Sequence, residues 1–205
     1  MSAAPPEGEA RVSPCHAVLC FAWDVDFEEV MRTADAAGWQ DAGIIGGDYA
    51  GGRRIAKDVR KCQISTGVPE DLRKELEAAV TGIGHYSYGF EVNGLRAFDP
   101  ITVMRYAPGD HFGWHVDNGV TTQPMGSRKL SFTLQLSPPD SYDGGDLELA
   151  TYAHQFNDEV PGPSPVLRER GNLIVFPSFM LHRVSPVTRG VRYAVVGWIH
   201  GPDFR

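Results

Sequence analysis

The sequence predicts an α+β domain: a double-sheet jelly roll braced on one outer face by helices from its N-terminal part. Two observations predict it. The first is a change of texture along the chain. Two segments with helical periodicity precede Phe90, and short β-rich runs punctuated by turn residues follow it. The second is parity. Across Lys129–Leu136, Leu130, Phe132, Leu134 and Leu136 share one strand face, while Ser131, Thr133 and Gln135 share the other. The apolar face is expected to pack on the helices and the polar face to line a cavity. Helices gathered on one side of an antiparallel sheet make an α+β domain, and about eight short strands suit two stacked sheets.

The elements follow in order. Met1–Pro14, rich in Ala, Pro, Glu and Gly, reads as a flexible tail, leaving 15–205 as one domain. His16–Trp23 is a short apolar run suited to an edge strand. A helix begins near Asp24, with Asp24 or Asp26 as N-cap, Phe27, Val30, Met31 and Ala34 on one face, and Gly38 as terminator. Gly43–Arg54 is glycine-dense and expected to be irregular, either a surface connection or a lid over a site. Arg60–Ser65 reads as one short strand. Asp71–Ile83 is a second amphipathic helix, with Leu72, Leu76, Ala79, Val80 and Ile83 on one side and Pro69 near its start. The strand segments are then Gly94–Ala97, Ile101–Tyr106, His111–Val116, Lys129–Leu136, Asp146–Ala150, Asn172–Pro177, Leu181–Val184 and Val191–His200, with Pro186–Gly190 as a turn. There is no internal repeat and no interdomain linker.

Composition excludes several function classes. A net charge of −7 with no dense basic run argues against an electrostatic nucleic-acid binder. No stretch of 18 apolar residues is present, so no membrane span is expected, and the N-terminus carries no export-signal pattern. Cys15, Cys20 and Cys62 are odd in number and form no C-x2-C pair, which suits a reducing cytoplasm and neither a disulfide framework nor a zinc knuckle.

The chemistry concentrates in Arg105–Asn118, RYAPGDHFGWHVDN. His115 and Asp117 are two apart, so an extended strand points both the same way. His182 lies late in a distant apolar run, and Arg192 follows it by ten residues. If the two runs form a hairpin about the Pro186–Gly190 turn, His182 and Arg192 face each other. Two histidines and one carboxylate make the facial triad of non-haem iron sites, and a guanidinium suits a planar carboxylate. Each residue alone has an ordinary structural reading; the set and its order carry the signal.

This pattern resembles that of the Fe(II)/2-oxoglutarate-dependent dioxygenases. The segments YDGGDLEL (Tyr142–Leu149), GNLIVFPS (Gly171–Ser178) and LHRVSPVTRGVR (Leu181–Arg192) resemble, more specifically, the PKHD-type and prolyl 4-hydroxylase-like hydroxylases. The likeness runs from about Val18 to Gly201 and is strongest after Ile101. It implies a double-stranded β-helix, the cupin-like jelly roll. It implies His115, Asp117 and His182 as ligands of Fe(II), and Arg192 as the grip on the distal carboxylate of 2-oxoglutarate. Tyr106 and Gln135 fall where the related enzymes make further cosubstrate contacts. Trp198 is a candidate lining of the substrate pocket, and Asn118 a candidate for orienting ligand or substrate. Asp117 excludes the halogenase arrangement, in which that carboxylate is replaced by a small residue. Arg183 and Arg189 read as surface residues; His111, His16, His85, His154 and His200 read as structural or solvent-side.

The implied activity is decarboxylation of 2-oxoglutarate to succinate with O2, coupled to hydroxylation of an unactivated C–H bond in an amino-acid-like or peptidyl, prolyl-weighted substrate; ascorbate is a further candidate cofactor. The alternatives are the same chemistry on a natural-product intermediate, or a cupin-type metalloenzyme that does not use 2-oxoglutarate. The expected partner is a small molecule or peptide, with no nucleic acid and no membrane. Specificity is expected in Gly43–Arg54, Gly119–Arg128 and Tyr152–Ser164, where patterning is weakest.

Overall fold

Two amphipathic segments become helices because their apolar residues recur on one side and their ends are marked. Helix α1, Phe27–Ala37, starts at Asp26, whose carboxylate accepts from the Glu29 amide at 3.0 Å, and stops at Gly38 in a left-handed conformation. Helix α2, Glu70–Tyr86, begins after Pro69 and runs three residues past the expected end at Ile83. The computed structural model describes residues 11–12, 18–45, 53–118, 125–150 and 167–203.

The strands are β1 (Arg11–Val12), β2 (Leu19–Ala22), β3 (Gln40–Asp41), β4 (Ile44–Ile45), β5 (Arg53–Arg54), β6 (Arg60–Lys61), β7 (Gln63–Ser65), β8 (Thr102–Tyr106) and β9 (His111–His115), followed by β10 (Arg128–Gln135), β11 (Tyr142–Gly144), β12 (Leu147–Leu149), β13 (Asn172–Pro177), β14 (His182–Val184), β15 (Val187–Gly190) and β16 (Arg192–His200). They form a major sheet in the order β1-β2-β13-β10-β16-β8-β7-β3 and a minor sheet in the order β12-β14-β9-β6. Two ribbons, β11–β15 and β4–β5, complete the set. All the pairings are antiparallel. This is the jelly roll that the strand pattern predicts, with both helices on the outer face of the major sheet.

The main core lies under the helices. Val30 and Ala34 of α1 and Leu72, Leu76, Val80 and Ile83 of α2 pack with Leu130, Phe132, Leu134 and Leu136, as the parity of that strand requires. The other face of the major sheet turns Met104, Tyr106, Ser131, Thr133, Val196 and Trp198 toward the minor sheet. A polar row on a central strand is tolerated there because it lines a cavity between the sheets. No helix among the described residues is long and apolar enough to cross a membrane.

Several expectations are corrected. Arg11–Val12, assigned to the loose tail, pairs with Cys20 and Leu19; the rest of Met1–Pro14 lies outside the described residues. Gly43–Arg54 contains a two-residue ribbon, Ile44↔Arg54 and Ile45↔Arg53, and 46–52 lie outside the described residues. Arg60–Ser65 is two strands: β6 joins the minor sheet beside β9, and β7 joins the major sheet between β3 and β8. The chain crosses between sheets at Cys62, and a period-two pattern carries no information about such a crossing. Gly94–Ala97 makes isolated bridges, Gly94↔His200 and Arg96↔Asp99, in place of a strand.

The largest correction concerns the segment before Arg192. Pro186–Gly190 is no tight turn: Val187–Gly190 is a strand paired with Tyr142–Gly144. A Cβ at Gly190 (φ +72°) would meet the Ser141 carbonyl at 2.1 Å, so this close pairing requires glycine. As a result β14 and β16 do not form a hairpin. β14 lies in the minor sheet between β12 and β9, and β16 lies in the major sheet between β10 and β8.

Candidate metal centre

Strand β9 carries His115 at its end and Asp117 just beyond it. The Asp117 amide donates to the Ser178 carbonyl at 2.8 Å, which anchors this short extension to the end of β13. Strand β14 pairs with β9 so that His182 lies opposite His115. The two imidazole centroids are 4.2 Å apart. His115 Nε2 is 3.5 Å from Asp117 Oδ1, and His182 Nε2 is 3.4 Å from Asp117 Oδ2. One ligand atom from each of the three residues falls within 4.8 Å of the others.

The orientation of the rings is set from behind. His115 Nδ1 is 2.7 Å from the Gly113 carbonyl, and His182 Nδ1 is 2.8 Å from the Met180 carbonyl. A carbonyl only accepts, so each Nδ1 carries the proton and each Nε2 presents its lone pair to the common centre. Phe112 stacks on His115 at 3.5 Å between centroids, and Phe176 meets His182 edge-on at 4.9 Å. Ser131 donates to Asp117 Oδ2 at 2.6 Å and shares a 3.0 Å contact with Ser178. The three side chains can hold a divalent ion on one face and leave the opposite face open.

Electrostatics agree with the geometry. Burial pushes the Asp117 carboxyl up, but His182 and His115 outweigh it and hold it well below the usual carboxylate range. Burial lowers His115, where the helping bond from Asp117 is too weak to compensate. The same burial acts on His182, but Asp117 overcomes it and leaves that imidazole more basic than usual.

Behind the centre, β16 sends Arg192 into the cavity between the sheets, opposite Tyr106 in register. Arg192 is 2% exposed. Its Nη2 donates to Gln135 Oε1 at 3.1 Å, its Nε has no hydrogen-bond partner among the described residues, and its guanidinium carbon lies 5.4 Å from the Tyr106 ring centroid. Among the described residues no carboxylate pairs with it. A buried guanidinium without an anion is strongly unfavourable, so this pocket suits an anionic group that the described residues do not provide. Gln135 is held in turn by its amide donating to the Leu167 carbonyl at 2.8 Å. Tyr106 is fully buried, and burial pushes its hydroxyl far above the ordinary tyrosine range, so it stays a neutral donor.

Trp198 lines both this deep cavity and an outer one of about 170 Å³ that opens beside His115 and Asp117. Its Nε1 is buried without a hydrogen-bond partner among the described residues. The Asn118 amide does not reach either cavity: it donates to the Gly126 and Arg128 carbonyls at 3.2 and 2.6 Å. Arg183 pairs with Glu148, and Arg189 with Asp143. His111 is bound to backbone carbonyls of Gly109 and Asp58, and His200 to Ser127. His16 and His154 lie outside the described residues.

Comparison with known proteins now decides the family. The model of the 2OG-Fe(II) oxygenase superfamily matches residues 101–200. A PKHD-type hydroxylase of Pseudomonas putida is 35% identical over 183 residues, covering 84% of this chain and 74% of the relative. One from Hyphomonas neptunium is 41% identical over 173 residues, covering 83% and 71%. The chain is a PKHD-type member of the 2OG-Fe(II) oxygenase superfamily. Solved structures agree on the fold of this oxygenase. A Pseudomonas putida prolyl-4-hydroxylase superposes with a TM-score of 0.64 at 18% identity, covering 93% of this chain and 95% of that one. A Trichoplax adhaerens prolyl hydroxylase, solved with a hypoxia inducible factor peptide fragment, gives 0.64 at 17%, covering 91% and 84%. Membership makes the protein a non-haem iron dioxygenase, with Fe(II) as the family's cofactor and 2-oxoglutarate and O2 as its cosubstrates.

Sequence reasoning missed residues that shape the oxygenase site. Phe112, Arg60 and Arg128 line the outer cavity, and Ser178 braces Asp117 through Ser131. Ser178 lies in the quoted GNLIVFPS segment, which signals its neighbourhood without its role. Arg60 sits in a strand too short for periodicity to orient it, and nothing in the sequence points to it.

Proposed function

We propose that the oxygenase hydroxylates an unactivated C–H bond of an amino-acid-like or peptidyl substrate, decarboxylating 2-oxoglutarate to succinate. The single observation that carries this reading is the buried, anion-free Arg192 beside a convergent His–Asp–His set. His115, Asp117 and His182 hold Fe(II); Arg192 grips the distal carboxylate of 2-oxoglutarate, with Tyr106 and Gln135 framing the guanidinium. Bound iron with 2-oxoglutarate and O2 supplies the oxidation that inserts one oxygen atom into the substrate and releases succinate and CO2.

The chain's own residues orient the reactants. The backbone-held Nδ1 protons fix both imidazole tautomers, and Ser131 fixes the carboxylate rotamer. Phe112 and Phe176 exclude water beside the two imidazoles. Trp198 stands between the deep and outer cavities and offers its indole N–H to whichever reactant lies there. Asn118 acts by tying down the segment after Asp117 instead of touching substrate. A peptidyl prolyl substrate is supported by the prolyl hydroxylase fold neighbours, one of which was solved with a peptide. A reducing cytoplasmic location is supported by the free, buried Cys20 and Cys62.

The test is Fe(II)-dependent succinate release. His115→Ala is expected to abolish it. Arg192→Gln is expected to raise the KM for 2-oxoglutarate roughly ten- to a hundredfold, from the 1.5–3 kcal/mol of a charged hydrogen bond. Unchanged turnover and KM in both variants would reject the assignment. A cupin-type enzyme without 2-oxoglutarate would leave Arg192 with no role.

A further inference from the structure

A second buried guanidinium stands on the other side of the metal centre. Arg60 of β6 is 8% exposed and lines the outer cavity with His115, Asp117 and Trp198. Its Nη1 donates to the Gly43 carbonyl at 3.1 Å, and its Nη2 reaches only the Met104 sulfur at 3.5 Å. Its Nε is buried and has no hydrogen-bond partner among the described residues. Among the described residues no carboxylate pairs with it.

The other arginine of that cavity shows what a satisfied one looks like. Arg128 grips Asp99 with two bonds, 2.6 and 2.8 Å, and lies 3.6 Å from the Trp198 ring centroid. Its charge is answered inside the protein. Arg60 has no such ion pair among the described residues: a backbone carbonyl, a thioether, the Cys62 side chain and the face of Phe112 at 4.7 Å surround it, and the Asp117 carboxylate acts on it only from beyond ion-pair distance. Phe112 in turn stacks on His115. The Arg60 guanidinium is therefore one aromatic ring away from a metal-ligand candidate, and the residue lines the cavity that opens beside it. A buried cation without an ion-pair partner favours an incoming anion, and the planar fork matches a carboxylate. The apolar walls, Ile44, Val59, Phe112 and Val116, suit the body of a small molecule. At about 170 Å³ the cavity is smaller than the roughly 300–1,000 Å³ of drug-sized ligand sites, which fits one residue better than a bound chain.

We propose that Arg60 binds the carboxylate of the substrate, so that this oxygenase acts on a free or N-substituted amino acid, or on a C-terminal residue, and not on an internal peptidyl residue. This rests on the function proposed above and narrows its substrate class. Two unpaired guanidiniums then divide the work: Arg192 takes the dicarboxylic cosubstrate in the deep cavity, and Arg60 takes the substrate acid in the outer one.

The test is calorimetric titration of the metal-free protein with a panel of N-acetyl amino acids, N-acetyl-L-proline among them, each against its primary amide. Wild type is expected to bind at least one acid more than tenfold tighter than its amide. Arg60→Gln should erase that preference, Arg60→Lys should keep part of it, and Arg192→Gln should leave it in place. The idea is overturned if no acid in the panel binds, if acids and amides bind alike, if the preference survives Arg60→Gln, or if Arg192→Gln removes it instead. The acid–amide comparison in wild type needs no variant to fold. Because neither iron nor 2-oxoglutarate is present, this result stands apart from the succinate assay, which tests the function itself.

Discussion

At the level of single residues, the side chains proposed to hold the metal are each braced from behind by a described neighbour. Ser131 is the clearest case. Its hydroxyl is the 2.6 Å donor that holds Asp117 Oδ2, and it belongs to a strand whose neighbouring residues pack in the main core. Hydrogen-bonded partners behind metal ligands are typically worth ten- to a hundredfold in metal affinity or activity. Ser131→Ala is accordingly expected to weaken Fe(II) binding by about that factor while the fold stays intact. Metal titration followed by circular dichroism checks this, and equal affinity in the two proteins would show that Asp117 needs no such support. His115, Asp117, His182 and Arg192 could be named as candidates from the sequence, because metal and anion chemistry restricts the usable side chains to a few, and the structure brings them together. Arg60 and Phe112 could not be named in this way. Either can be an ordinary surface or core residue, and only their neighbours distinguish the cases.

Among the elements, the helices and the major sheet share a core that has no part in the chemistry. Leu76 of α2 is 0% exposed and packs in the cluster that includes Leu130, Leu134 and Ile199. That cluster lies on the far side of the sheet from Ser131 and Thr133, which face the cavity. Leu76→Ala is expected to cost about 2–5 kcal/mol of stability, as buried leucine truncations do, with little change in kcat/KM below the melting range. Thermal denaturation and low-temperature kinetics measure the two separately. A large loss of kcat/KM with an unaltered melting temperature would mean that helix and site are coupled through the sheet. The helices and long strands were legible because their periodicity extends over enough residues to average out exceptions. The two-residue strands β3 to β6 and the pairing of β11 with β15 were not. Two residues carry no period, and pairing between segments more than forty residues apart leaves no local trace.

For the molecule as a whole, a buried ion pair beneath the outer cavity ties distant segments together. Asp99 accepts two bonds from Arg128 and lies 3.2 Å from His200 Nε2, linking the loop before β8, the start of β10 and the end of β16. Burial alone would raise the Asp99 carboxyl, but His200 and Arg128 hold it below its ordinary 3.8. A carboxylate depressed in the folded state stabilises above its unfolded value and loses that contribution as pH falls through the folded one. Asp99→Asn is therefore expected to lower stability by about 3–5 kcal/mol at pH 7, since it strands a buried arginine. The gap from wild type should hold above about pH 5 and close progressively below 3.8. Melting curves across that range test this, and a gap that widens in acid would reverse the assigned role. At this scale the division between chain and fold becomes clear. Alternation and helical spacing, which are local, were enough for the fold class and for the main core; the order and type of His115, Asp117, His182 and Arg192 were enough for the family chemistry. How those four meet was settled in space: His182 comes from the minor sheet and Arg192 from the major one, approaching across the sandwich instead of along a hairpin. The same holds for Arg60, carried to the outer cavity by a crossing between sheets at Cys62. Sheet membership depends on hydrogen bonds between segments far apart in the chain, and no pattern along a single strand encodes its partner.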